Sequence, residues 1–161
     1  MNSMFWKAVF AFVALPGTVA FIVPLTVFLP PPPVLLDRLG LVPLLLGVTL
    51  LLSTVREFYV AGRGTLAPWS PPEELVTTGL YSFSRNPMYV AVVLVLIGWS
   101  GLFHSRALLV YAASVAAAFH LRVVFGEEPW LAEVHGASWL RYRTRVPRWF
   151  GAFKHNREVT P

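Results

Sequence analysis

The stretch "LYSFSRNPMYVAVVLVLIGW" (80–99) decides the fold that the rest of the sequence supports. It begins with polar and aromatic residues, places Arg85 directly before Asn86 and Pro87, and continues as an unbroken apolar run. Asn is a favoured helix N-cap, and Pro is a favoured first residue of a helix. The stretch therefore predicts a helix that begins at Pro87 and crosses a membrane.

The composition is that of an integral membrane protein. Of the 161 residues, 56% are hydrophobic and 13% are charged, and this charged share is about half that of a typical soluble domain. The sequence has no cysteine, which excludes disulfides, thiolate nucleophiles and cysteine metal sites. Its four histidines are scattered without ligand spacing, so we expect no metal site. It contains no nucleic-acid motif, and its net charge of +5 fits contact with anionic lipid headgroups.

We predict an all-α, polytopic membrane protein with about four transmembrane helices and a C-terminal interfacial helix. Each span approaches the ~20 residues that cross a bilayer, and the predicted spans are 5–29, 39–61, 87–103 and 107–125. A very short link joins the last two spans, which predicts an antiparallel hairpin. The polar and basic tail that follows has helical spacing that brings Trp130, Val134 and Trp139 near one another, which predicts the interfacial helix.

The whole chain (1–161) is interpreted as one membrane domain, and charge placement predicts its orientation. It comprises two N-terminal spans (1–61), a core (62–150) and a basic tail (151–161). Of the 13 lysines and arginines, only Arg38 and Arg106 fall on the side opposite the termini. The positive-inside rule therefore predicts that both termini and the loop before the third span are cytoplasmic, in the inner (plasma) membrane if the organism is a bacterium.

Arg85 is the residue that an ordinary helix start does not explain. It adds positive charge beside a helix N-terminus that is already positive, which is unfavourable unless an anion binds there. Arg85, the Asn86 amide and the free N–H groups of the helix start together predict a carboxylate or phosphate site. An arginine that reaches the lipid headgroups is an equally good interpretation of this motif alone.

Glu127 and Glu128 stand at the predicted end of the fourth span, where the helix dipole favours cations. Adjacent helical residues point about 100° apart, so one carboxylate faces inward and the other outward. The alternatives are a solvated helix end before Pro129 or ion pairs with the tail arginines. His120, two turns before Glu127, is interpreted as a satisfied hydrogen-bonding group inside the membrane.

Two further motifs have plain interpretations. The segment "GRGTLA" (62–67) has dinucleotide-site glycine spacing but lacks the flanking strand and helix, so we interpret it as the start of a loop. The segment "WLRYRTRVPRW" (139–149) is an aromatic and basic stripe typical of anchoring to anionic lipid headgroups. Alternatively, Tyr142 and Arg145, three residues apart on one helix face, close over a site.

The motifs occur in a fixed order: "GRGTLAPWSPPEELVTTGLYSFSRNPMY", a short hairpin, and then "GEEPWLAEVHGASWLRYRTRVPRW". In this order the chain resembles the superfamily of isoprenylcysteine carboxyl methyltransferases and phospholipid methyltransferases, over 62–149. The resemblance implies S-adenosylmethionine as the methyl donor, bound where the last two spans meet the cytoplasm. One position departs from the pattern, because the best-known members have histidine where this chain has Asn86. Asn can donate and accept hydrogen bonds but cannot act as a general base.

The resemblance also implies roles for individual residues. The catalytic positions are Glu128, Tyr142 and Arg145. The positions that bind the cofactor are Gly79, Tyr81, Arg85, Asn86, Tyr89, Glu127 and Glu128, with the cofactor's carboxylate suited to Arg85 and its ammonium suited to one of the glutamates.

The expected function is transfer of a methyl group to a lipophilic acceptor from the membrane, an isoprenoid carboxylate or a lipid amine, with the acceptor atom (O, N or S) left open. Two other classes remain: a nicotinamide-dependent membrane reductase of the steroid-reductase kind and a non-catalytic membrane accessory protein. The reductase would bind NADPH. The accessory protein would bind neither NADPH nor S-adenosylmethionine.

Overall fold

The computed structural model describes residues 6, 10–28, 38–60 and 75–150. Within these ranges the chain is helical and has no strand, which confirms the predicted all-α class. The main helices are α1 (Phe10–Val27), α2 (Leu41–Val60), α3 (Pro87–Leu102), α4 (Arg106–Arg122) and α5 (Glu128–Arg145). Short 3-10 turns precede α2 at Arg38–Gly40 and α3 at Gly79–Ser82. The predicted loop start 62–67 and basic tail 151–161 lie outside the described residues.

The helices are those of an integral membrane protein. Within the described ranges, three helical stretches are long and apolar enough to cross a bilayer: Phe10–Val27, Arg38–Glu57 and Arg106–Arg145. Helix α3 is equally apolar but shorter, with 16 residues. Large apolar side chains are exposed on the outer faces of these helices, where lipid would cover them, among them Val42, Leu45, Val110 and Leu121.

Helices α2 and α3 pack with their backbones almost in contact. A β-carbon added at Gly98 would lie 2.5 Å from the backbone nitrogen of Leu44, and one at Gly47 would lie 2.7 Å from that of Val95. Small residues allow membrane helices to approach this closely. The buried core forms around the crossing and includes Leu44, Leu51, Ala91, Val95 and Leu96. Because α3 begins at Pro87, the crossing also fixes the position of the residues just before it.

The tail helix differs from the prediction in how it begins. The chain does not leave the helix near 125 but continues through a π-helical turn, Val123–Glu127, directly into α5. The backbone N–H of Glu128 donates to the carbonyl of Val123, so the ladder is maintained just before Pro129, which has no N–H to donate. The regular helix is interrupted later, at Gly136, whose φ is 48°. The glutamates therefore lie inside a helical path, and the argument that they oppose a helix C-terminus was wrong.

Candidate functional site

A buried cluster of charges forms where the start of α3, the start of α5 and the residues after α5 meet. Glu128 accepts two hydrogen bonds from Arg148, from Nε to Oε1 at 2.7 Å and from Nη2 to Oε2 at 2.8 Å. Nη1 of Arg85 lies 3.0 Å from the same Oε1, and the two side chains of this pair are only 8% and 10% exposed. Two guanidiniums therefore share one carboxylate, which leaves the cluster with a net charge of +1.

Residues 146–150, which we call the tail strap, contact residues 84–86 of this region through backbone carbonyls. The N–H of Arg85 donates to the carbonyl of Pro147 at 2.9 Å. The carbonyl of Arg148 accepts from the Asn86 amide at 3.0 Å and from the Ser84 hydroxyl at 3.3 Å. Asn86 occupies the N-cap position of α3, as predicted, but its side chain makes no capping hydrogen bond. Its side-chain amide instead donates to the tail strap, at the carbonyl of Arg148.

Three buried donors in this cluster have no hydrogen-bond acceptor among the described residues. They are Nε and Nη1 of Arg85 and the indole Nε1 of Trp139. The Arg85 guanidinium carbon lies 5.2 Å from the centre of the Trp139 ring, so all three donors are close together. Burial lowers the pKa of Arg85, while the nearby carboxylate of Glu128 opposes that shift. Unsatisfied buried donors are rare, and these three define a place that suits an anionic acceptor.

Glu127 forms a separate cluster on the other side of the helical path. Its Oε1 accepts from Nε of Arg122 at 2.8 Å and from the hydroxyl of Tyr89. The Tyr89 ring stacks on Phe119, with centroids 4.3 Å apart. The Glu127 side chain is 32% exposed, against 10% for Glu128. The expectation that one glutamate faces inward and the other outward agrees with this geometry.

The turn before α3 is held from two sides. Gly79 has φ of 57°, and the carboxylate of Glu57, at the end of α2, lies where a β-carbon of residue 79 would be. The hydroxyl of the preceding Thr78 donates to Oε2 of Glu57 at 3.4 Å. The hydroxyl of Tyr142 donates to the carbonyl of Tyr81 at 2.7 Å. Tyr81 is buried, and burial raises the pKa of its phenol well above the usual value. The turn is thereby joined both to α2 and to α5.

A cavity of about 620 Å³ lies beside this turn, against the second half of α5. Its walls carry basic and hydroxyl groups and include His135, Ser138, Arg141, Tyr142 and Arg145. Arg145 is exposed in this cavity and makes no described contact with Glu128. Tyr142, by contrast, lies between the cavity and the charge cluster, because it packs edge-on against Trp139.

The structure thus brings together most of the residues predicted for the site. Arg85, Asn86 and Glu128 meet in the charge cluster, Tyr89 and Glu127 in the second cluster, and Gly79, Tyr81 and Tyr142 around the turn. Arg145 stands apart, in the cavity. His120, interpreted as a satisfied group, accepts from the indole of Trp149 at Nδ1, at 3.2 Å.

Sequence reasoning missed four residues that structure this region: Glu57, Arg122, Trp139 and Arg148. A signal for Arg148 was present, since ion pairs between the glutamates and the tail arginines were one of the alternatives, and Glu128 forms such a pair with Arg148. Arg122 lies five residues before Glu127, and only the π-helical turn brings that spacing onto one side. Glu57 and Trp139 had no sequence signal, because their contacts join elements distant in the chain.

The described residues form apolar helices with a buried, partly unsatisfied charge cluster, which is the candidate site of a membrane protein. The model of one family, "Phospholipid methyltransferase", matches residues 36–138, more than half of the chain. The chain therefore belongs to the phospholipid methyltransferase family, within the superfamily that the motifs resemble. The match includes α2, α3, α4 and both glutamates but ends before Trp139. No curated protein and no solved structure matches the chain.

Proposed function

We propose that this protein is an S-adenosylmethionine-dependent methyltransferase that acts on a lipophilic acceptor from the membrane. Family membership supports methyl transfer in a membrane, and methyltransferases of this family generally use S-adenosylmethionine. The observation that carries the proposal is the group of unpartnered buried donors on Arg85 and Trp139. They suit the carboxylate of an amino-acid moiety such as the one that this cofactor carries.

The residues present fit the two charges of that moiety. A carboxylate placed at Arg85 and Trp139 would satisfy the orphaned donors and cancel the net charge of the cluster. An ammonium needs a carboxylate close by, and Glu127 and Glu128 both lie within the region. We propose that Gly79, Tyr81, Asn86 and Tyr89 complete the binding site as the loop, strap and ring contacts around it.

S-adenosylmethionine, when bound, supplies a methyl group on a sulfonium sulfur that departs as a neutral thioether. The protein's contribution to such an in-line displacement is to position the reactants and exclude water. Glu128, Tyr142 and Arg145 are the residues proposed to act next to the acceptor. Asn86 cannot accept a proton, so an amine acceptor would depend on a glutamate for its deprotonation. A carboxylate acceptor, already anionic, needs no base.

We also propose that the acceptor enters laterally from the bilayer and that both termini and the site face the cytoplasm. The basic residues of the tail and of the cavity wall support contact with anionic lipid headgroups on that side. The acceptor would be an isoprenoid carboxylate or a lipid amine.

Calorimetry on detergent-purified protein tests the proposal, with S-adenosylmethionine and NADPH as separate ligands. We expect S-adenosylmethionine to bind and Arg85→Ala to weaken it by roughly ten- to a hundredfold, the worth of a charge-assisted hydrogen bond. Arg106→Ala, at the first residue of α4 and far along the chain from the cluster, is the matched control. Binding of NADPH alone would favour a reductase, and binding of neither would refute the enzyme proposal.

A transfer assay identifies the acceptor. Protein incubated with methyl-labelled S-adenosylmethionine and a total membrane lipid extract should yield a labelled lipid, which mass spectrometry then identifies. Label that stays entirely with water-soluble compounds would contradict a lipophilic acceptor.

A further inference from the structure

Arg148 binds both oxygens of the Glu128 carboxylate. Its planar fork matches the carboxylate, with one bond to each oxygen at 2.7 and 2.8 Å. Such bidentate pairs are among the strongest and most directional side-chain contacts. The third approach, from Nη1 of Arg85, comes within 3.0 Å of Oε1 but lacks hydrogen-bond geometry. Glu128 therefore balances the charge of Arg85 without occupying its donors.

This division leaves Arg85 open although a carboxylate is next to it. An arginine and a glutamate that meet alone in a buried place form their own fork-to-fork pair. Here Arg148 binds both oxygens of the Glu128 carboxylate. Nε and Nη1 of Arg85, beside the Trp139 indole, therefore have no hydrogen-bond acceptor among the described residues. The side chains of Arg85 and Glu128 are both at least nine-tenths buried, so water does not readily replace the missing partner.

We propose that Arg148 is a positioning residue, which holds Glu128 away from a full pair with Arg85 and so keeps Arg85 available for the carboxylate of a ligand. The inference rests on the proposed function for the identity of that ligand. Glu128 then serves the two arginines, and Glu127 is the glutamate available to an ammonium group. Both described hydrogen bonds to Glu127 reach Oε1, and none among the described residues reaches Oε2.

Backbone hydrogen bonds of the tail strap fix the position of Arg148. Its own carbonyl accepts from Asn86 and Ser84, and the preceding carbonyl, of Pro147, accepts from the N–H of Arg85. These bonds use the backbone of the strap, so the side chain of Arg148 can be removed without removing them. Asn86 thereby acts on the cluster through the strap, which gives this position a role that requires no proton transfer.

The test is a pair of variants, Arg148→Ala and the double variant Arg148→Ala with Glu128→Gln, of which the second keeps the cluster charge of the wild type. Without Arg148, the Glu128 carboxylate should accept hydrogen bonds from Arg85, so that the Arg85 donors are no longer available to a ligand. The net charge of the cluster falls from +1 to zero. The double variant removes the competing carboxylate and returns the net charge to +1. Arg143→Ala is the control, because it removes a nearby positive charge that acts on both Arg85 and Glu128 but makes no described hydrogen bond or ion pair with Glu128.

We expect Arg148→Ala to weaken S-adenosylmethionine roughly ten- to a hundredfold by calorimetry, and the double variant to regain most of that loss. A decarboxylated analogue of S-adenosylmethionine should bind the wild type and Arg148→Ala equally, because it lacks the group that Arg85 would hold. Arg143→Ala should change the affinity by less than about threefold, as an exposed charge does.

Three results would overturn the inference while leaving the proposed function intact: wild-type affinity in Arg148→Ala, no recovery in the double variant, or an equal loss for the decarboxylated analogue. No recovery would instead assign Glu128 itself to the ammonium. A ligand-free readout separates the two hypotheses: the Arg85 Nε–H resonance, assigned by its loss in Arg85→Lys, should move in Arg148→Ala and return in the double variant. An unmoved resonance refutes the inference even if S-adenosylmethionine does not bind.

Discussion

Replacing Gly98 with alanine tests the crossing that positions α3. A β-carbon there would lie 2.5 Å from the backbone nitrogen of Leu44 and 2.6 Å from its Cα. Ordinary van der Waals contact begins at 3.4 Å, so the two helices must separate by roughly 1 Å at this point. The obstacle is backbone, which cannot rotate away as the end of a long side chain can.

A gap of that size forfeits a quarter to a half of the dispersion attraction of the contacts beside it. Overpacking of a tight interior typically costs about 1–3 kcal/mol. Alanine also gains up to ~1 kcal/mol over glycine in helix propensity, so the change needs a matched control. Gly126→Ala supplies one, because nothing lies within 4 Å of a β-carbon at Gly126. We expect Gly98→Ala to be about 1–3 kcal/mol less stable than Gly126→Ala.

The assay is reversible unfolding in mixed micelles, followed by the helical circular dichroism signal under identical detergent conditions. The comparison between the two alanine variants matters more than either value, because the detergent affects both alike. Equal stability of the two variants, or a more stable Gly98→Ala, would refute the close backbone approach of α2 and α3.

Three further substitutions test the surroundings of the site. Tyr142→Phe removes the hydroxyl that donates to the carbonyl of Tyr81 and should lower the free energy of unfolding by about 1 kcal/mol, measured as a lower thermal midpoint. Trp139→Phe keeps a ring over the cluster but removes an unpartnered donor. S-adenosylmethionine should bind roughly tenfold more weakly by calorimetry, and unchanged affinity would contradict the place of Trp139 in the site. Gly79→Ala should lower the free energy of unfolding by about 1–2 kcal/mol because of its left-handed backbone, in addition to any steric cost from the Glu57 carboxylate. Adding Glu57→Ala should relieve only that steric cost, so full recovery of stability would contradict the cost assigned to the backbone.

Most of the fold could be predicted because it follows from local signals. Apolar length identified α1, α2 and α4, and the Asn86–Pro87 start of α3 was correct to the residue. The junction before α5 was wrong for a physical reason. Pro129 and the glutamates read as a helix end, but a π-helical turn continues the ladder across them. A wider turn of this kind depends on the register of the following helix, which no local pattern encodes.

The site could be predicted in part: residues with a local sequence signal were recognised, whereas contacts made by tertiary packing were not. Arg85 conflicts with the electrostatics of a helix start, and Glu127 and Glu128 are ionisable groups next to an apolar span, so they were recognisable as a group. Ion pairs between the glutamates and the tail arginines were among the alternatives, but Arg148 was not singled out, because its contact with Glu128 depends on how the strap turns back after α5. Loop closures of this kind are set by tertiary packing rather than by propensity.

The placement of Arg85 before a helix N-terminus now has a physical context. A second guanidinium, on Arg148, adds to the same positive end, and a single carboxylate, on Glu128, opposes both. Burying one uncompensated charge is costly, and the protein could reduce that cost by pairing Arg85 fully with Glu128. The strap prevents such pairing, since Asn86 and Ser84 hold it where the Arg148 fork reaches both carboxylate oxygens. A structure that maintains an avoidable imbalance in a buried site with unsatisfied donors calls for a missing acceptor, which supports an anionic group as the missing partner.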